Sequence, residues 1–306
     1  LSKRKKKIKK QKQNKMERIS FYDQIARNKR KSIVLMFFIF LIFVLLGFLI
    51  SLAFSKEYFF VVMAVAIVFS LSYIMFTYYY SDKIALMSVR AFPASRTQHK
   101  QYYDIVEGLC LASGLPMPKL YIMKSPQINA FATGRNPENA VVCVTTGALE
   151  KLNKQELEGV LAHELGHIAN YDIRFMTLAV VMVGIISIVS EIFLRSLWLG
   201  GSESEKKNVL LLLLGILFAI LAPLFAMLVQ LAISRKREFT ADATAVKFTR
   251  SPTGLINALK KIKHDVPMHV NKAVAPLFMS DPFRKISGLF STHPPIDERI
   301  KVLSRM

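Results

Sequence analysis

Two histidines four residues apart, His163 and His167, enclose Glu164 in the stretch LAHELGHIAN. Residues four apart on a helix share a face. Both imidazoles can then aim a ring nitrogen at one point about 2 Å from each, the zinc–nitrogen distance. Glu164 falls beside that point, where it suits a group that takes a proton from water rather than a metal ligand. This spacing belongs to metal-assisted peptide hydrolysis. Five residues with three fixed letters also occur by chance on polar helix faces, so other residues must decide.

A catalytic zinc keeps three protein ligands and one open position. Glu238, in RKREFTADATAV, is a candidate for the third. It reads equally as a charge near the membrane paired with Arg235 or Lys236. Asp242 lies one turn further on the same face and suits a carboxylate that accepts the free ring N–H of a ligand histidine. A His, His, Glu set favours zinc, one ion per chain.

The elements that must position these groups follow from local pattern. Asn153 reads as an N-cap and Glu156 completes a capping box. The helix NKQELEGVLAHELGHIANYD carries Leu157, Val160, Leu161, Leu165 and Ile168 as an apolar stripe. Upstream, residues 82–112 read as one helix, broken by Gly114, Pro116 and Pro118. Strands are expected at 120–123, 130–133 and 140–144, with Gly134, Asn136 and Pro137 turning between the last two. Cys110 and Cys143 show no ligand spacing and read as buried, reduced thiols.

Composition divides the chain into blocks. Hydrophobic residues are 52% and charged residues 21%, with a net charge of +21. Residues 32–55 and 58–81 contain no charge, and each is long enough for a hydrocarbon core of about 30 Å. Residues 208–234 form another such run, with Pro223 inside it. Residues 175–199 form the remaining candidate span, with Glu191 and Arg195 near its far end. The expected domains are a basic tail (1–31), a transmembrane hairpin (32–81), a first catalytic part (82–174), a second hairpin (175–234) and a second catalytic part (235–306). The connections between paired spans hold four basic residues, and the other 38 of 42 lie in the tail and the two catalytic parts. The positive-inside bias makes those segments and both termini cytoplasmic, in a multi-pass protein of the cell membrane. The run at Ser32 is too long for a cleaved signal peptide. The tail, with fourteen Lys and Arg in residues 1–32, suits anionic lipid headgroups. It lacks interleaved aromatics and no nucleic-acid module follows, so no nucleic-acid partner is expected.

HELGHIANYD, two apolar segments, REFTAD and then STHPPIDER, preceded by NAFATG at 129–134, together resemble the HtpX-like membrane zinc metalloproteases. These belong to the superfamily of the CAAX prenyl proteases. The resemblance covers nearly the whole chain beyond the tail, which is longer and more basic than the family pattern. It implies a mainly α membrane protein, with four transmembrane helices and a cytoplasmic α+β zincin-like (gluzincin) catalytic domain built on a small sheet. It further implies His163, His167 and Glu238 as zinc ligands, Glu164 as catalytic base and Asp242 behind the ligands. Asn129 and Ala130, Phe131 and Ala132 would form a strand that pairs with a substrate backbone. His293 and Arg299 would steady the oxyanion and substrate. The implied role is hydrolysis of misfolded or damaged membrane proteins in quality control and stress response. The alternatives are a narrow processing protease for membrane-anchored or lipidated substrates, and a non-catalytic scaffold tethered by its tail. His99, His264 and His269 match no motif and read as surface or structural.

Overall fold

The computed structural model describes residues 21–51, 56–182, 184, 235–268, 270, 274–280 and 294–306. The tail up to residue 20, nearly all of the expected second hairpin and His293 lie outside the described residues.

The two uncharged runs form long helices, α1 (Phe21–Ser51) and α2 (Phe59–Ser88). Both are long and apolar enough to cross a membrane, and only 28% and 6% of their apolar windows are buried within the protein. They are therefore not core helices. Rows such as Phe60, Val61, Val65, Val68 and Phe69 face outward and need an apolar surrounding.

Residues 82–112 are not one helix. α2 ends at Ser88, Arg90 adopts φ 52°, and Phe92–Pro93 (β1) pairs antiparallel with Tyr121 and Ile122 before α3 (Lys100–Ser113) begins. Pro93 is the physical reason: its ring bars a continuing helix, and at a sheet edge its missing N–H costs nothing. The expected strands appear as β2 (Lys119–Met123), β3 (Ala130–Gly134) and β4 (Ala140–Thr145). The sheet order is β1-β2-β4-β3, with β2 and β4 parallel and the other two pairs antiparallel. β4 is buried along its length because both faces of the sheet are covered, so its sequence does not alternate.

After a short α4 (Thr146–Lys151) comes α5 (Lys154–Ala169), which carries HELGH. The Asn153–Glu156 capping box is present, with reciprocal bonds of 2.9 and 2.8 Å. Thirteen of its sixteen residues are buried, so its polar face is interior as well as its apolar stripe. The helix stops before the expected Asp172. Tyr171 sits at φ 57° and breaks the rod, and a second helix, α6, is described over 172–182. In α6, Phe175, Leu178, Ala179 and Met182 pack on Leu35 and Ile39 of α1. Tyr73 of α2 donates to the Met182 carbonyl at 2.9 Å. Then follow α7 (Arg235–Thr249), α8 (Thr253–His264) and α9 (Ile296–Leu303).

α7 and α8 approach α5 closely because two positions lack side chains. A Cβ on Gly166 would meet the Ala241 carbonyl at 3.1 Å, and one on Gly159 would meet the Leu255 nitrogen at 2.4 Å. Gly159→Ala must push α8 outward. A loss of about 1–3 kcal/mol is expected, read as a lower unfolding temperature in detergent.

Candidate metal centre and active site

α5 and α7 bring His163, His167 and Glu238 together, all buried, with ligand atoms within 4.8 Å of one another. The two Nε2 atoms are 3.2 Å apart, and Glu238 lies 3.6 Å from His163 Nε2 and 3.5 Å from His167 Nε2. Ligands about 2.0 Å from a tetrahedral ion stand about 3.3 Å from each other, so the spacing fits a metal of that size. Two imidazoles and a carboxylate are a fitting donor set for zinc.

Each histidine is held from behind. His163 Nδ1 is 2.9 Å from Asp242 Oδ1, and His167 Nδ1 is 3.3 Å from Asp172 Oδ2. With Nδ1–H donating to a carboxylate, Nε2 keeps its lone pair for the centre. Asp242 is gripped in turn by Arg299, whose Nε reaches Oδ2 at 2.9 Å and Nη2 reaches Oδ1 at 2.6 Å. Burial raises the Asp242 carboxyl, but the guanidinium and His163 outweigh it and hold it down at about 2. Arg299 is itself buried, and its Nη1 donates to the Met279 carbonyl at 3.1 Å.

Glu164 is buried beside the cluster. Burial pushes its carboxyl up, against the pull of His163, His167 and the Ala132 N–H. Its Oε1 has no hydrogen-bond partner among the described residues. A carboxylate of raised basicity with an open oxygen is what proton abstraction from water requires.

β3 is an edge strand, as the sequence implies. Residues 131 and 133 pair inward with β4, so Ala130 and Ala132 turn their backbone groups outward. Part of that edge is already used. The Met279 N–H donates to the Ala130 carbonyl at 2.8 Å. The Asn129 side chain clamps the same segment, donating to the Ser280 carbonyl at 3.2 Å and accepting from the Ala130 N–H at 3.0 Å. Asn129 thus acts here through its side chain, while its backbone carbonyl pairs inward with the Thr145 N–H.

Burial and Arg299 push His163 down, while the neighbouring Asp242 and Glu238 carboxylates push it up more strongly, to about 9. Below that pH the ring carries a proton that a metal must displace. Metal affinity should therefore rise with pH up to about 9, with about one proton released per ion near neutrality. Calorimetry in two buffers of different ionisation enthalpy measures that proton.

Sequence reasoning missed Asp172 and its partners. Asn28, at the foot of α1, donates to Asp172 Oδ1 at 2.7 Å and to the Asn170 carbonyl at 2.9 Å, and Arg237 lies 3.4 Å from Asp172 Oδ1. The available signal was an acid five residues past His167, hidden by reading the helix straight through it. Asp172→Ala frees the His167 ring and should weaken metal affinity about 10- to 100-fold. Competition with a chromophoric chelator reads this directly.

The sequence profile of peptidase family M48 matches residues 96–306. The chain belongs to peptidase family M48. A protease HtpX homolog of Thermoanaerobacter pseudethanolicus is 42% identical over 299 residues, covering 95% of this chain and 99% of that one. Another, from Caldanaerobacter subterraneus subsp. tengcongensis, is 46% identical over 247 residues, covering 78% and 83%. Among solved structures, S. mikatae Ste24p aligns with a TM-score of 0.47 at 18% identity, covering 92% of this chain and 66% of that one. This M48 chain is an HtpX-like membrane metallopeptidase, and its His/Glu cluster could hold the metal.

Proposed function

We propose that this M48 peptidase is a zinc endopeptidase that cuts misfolded or damaged membrane proteins at the cytoplasmic face. The observation that carries the reading is the buried His163–His167–Glu238 cluster with Glu164 open beside it. These three residues would hold one zinc ion. Bound zinc would supply Lewis acidity to the scissile carbonyl and the attacking water. Glu164 takes the proton from that water and hands it to the leaving amine. Asp242 and Asp172 keep the two imidazoles turned toward the centre.

The substrate backbone adds to the outer edge of β3. Next to Glu164 it meets Ala132. It reaches the Ala130 carbonyl only when Met279 lets go. Arg299 acts through Asp242 and the Met279 carbonyl, which is a narrower role than the sequence suggested. His293 remains the partner for the oxyanion. The chain would cross the membrane four times, with both termini and the catalytic parts cytoplasmic, by the distribution of its basic residues. The foot of α1 bonded to Asp172 supports a centre close to the membrane face, within reach of loops and unfolded ends of membrane proteins.

The test is hydrolysis of an unfolded protein such as casein by detergent-purified protein with zinc. Cutting that a chelator stops supports the reading. A protein that holds zinc but leaves casein intact overturns broad quality control and favours a narrow processing enzyme.

A further inference from the structure

Away from the metal centre, a cavity of about 470 Å³ opens between the end of α2 and the sheet. Its α2 wall is Met75, Phe76, Tyr79, Tyr80, Asp82 and Lys83. Its other wall is Lys119 at the start of β2, with Arg135 and Asn139 from the β3–β4 turn. Three cations thus face one carboxylate, Asp82. Among the described residues, none of the three cations forms a salt bridge. Arg135 is held ready: it stacks 5.0 Å from the Tyr79 ring centroid, and its Nη2 donates to Asn139 Oδ1 at 3.2 Å. Two of its five donors are engaged with neutral oxygens, which leaves the rest for an anion.

The two walls differ in kind, and that difference identifies the ligand. The cations suit a phosphate, which Arg and Lys recognise by charge-assisted hydrogen bonds. A soluble phosphate would have no use for the wall of Met75 and Phe76, each 53% exposed. That wall continues the outward apolar face of α2, where acyl chains would lie. The cavity also sits where the uncharged run of α2 ends, at Tyr78-Tyr79-Tyr80 before Asp82 and Lys83. Tyrosines at such a boundary mark the headgroup level.

We propose that this cavity binds the phosphodiester headgroup of an anionic phospholipid, with its chains along Met75 and Phe76. Arg135 directly follows β3, so the bound lipid would fix the end of the edge strand at the headgroup plane. The site is separate from the basic tail and holds one lipid in a shaped pocket rather than a diffuse layer.

The experiment uses the full chain in detergent at high salt, which screens the tail, and counts retained phosphatidylglycerol by native mass spectrometry. Wild type should retain it in preference to phosphatidylcholine. The triple variant Lys83→Gln, Lys119→Gln, Arg135→Gln should retain it about 10- to 100-fold more weakly. Arg135→Gln alone, with a charge-keeping Lys119→Arg control, decides the matter if the triple variant misfolds. Equal retention by wild type and the charge-removing variants overturns the proposal. Binding of glycerophosphate as tightly as the lipid also overturns it, in favour of a soluble phosphate ligand. The proposal rests on α2 crossing the bilayer. Protein that carbonate wash releases from membranes removes that reading, whereas integrated protein indifferent to phosphatidylglycerol removes this one alone.

Discussion

Glu164→Gln should lower peptide hydrolysis by about 10²- to 10⁴-fold while the protein still binds about one metal ion per chain. Gln keeps the shape and size of the side chain but cannot take a proton from water. The neighbours that fix its position, including the Ala132 N–H, still find a carbonyl oxygen to bond. The cluster itself does not use Glu164: the three candidate ligand groups are His163, His167 and Glu238. Stability should hold or rise, because the variant removes a buried ionisable group whose charged form burial disfavours. Metal content by mass spectrometry and casein hydrolysis, measured on the same preparation, separate the cases. Loss of the metal would show Glu164 to be a ligand, and retained cutting would remove it from the chemistry.

Arg299→Met should cost about 3–5 kcal/mol of stability and weaken metal binding together. The guanidinium is 1% exposed and makes a two-pronged bond to Asp242, which is 0% exposed. Removing it strands a carboxylate in the interior, facing the His163 ring. Asp242 then either takes up a proton or pulls away, and His163 loses the acceptor that turns Nε2 toward the centre. Adding Asp242→Asn to Arg299→Met should recover part of the lost stability but not the metal affinity. Thermal unfolding in detergent and chelator competition measure the two quantities. An Arg299 that served only to grip substrate would instead leave both unchanged and raise KM. That result would end the positioning role.

Both predictions involve a residue that the sequence singles out and a contact that it does not show. HELGH was readable because its spacing is a property of one helix: 3.6 residues per turn put His163 and His167 on one face wherever the helix sits. The same holds for Glu238 and Asp242 on α7, for the Asn153–Glu156 box and for the strands at 120–123, 130–133 and 140–144. The helix reading of 82–112 and the unbroken rod through Asp172 failed for a related reason. Periodicity continues across Pro93 and Tyr171, while the backbone at Arg90 and Tyr171 turns left-handed to meet a sheet edge and the α1–α2 pair.

The sequence by itself determined the residue types and their local spacing: a pair of imidazoles with a carboxylate beside them, a further carboxylate after a long apolar interval, and long uncharged runs on either side. Those are facts of residue type and local period. Only the tertiary structure decided which groups complete them. Asp172 reaches back to His167 with Asn28 of α1 behind it, Arg299 from the last helix grips Asp242, and Met279 lies along the β3 edge. Asn28 and Asp172 stand 144 positions apart in the chain, and Ala130 and Met279 stand further apart still. No periodicity spans such a distance. Only the burial of α5 on all sides, with α7 and α8 drawn in against its glycines, brings those side chains within hydrogen-bonding reach.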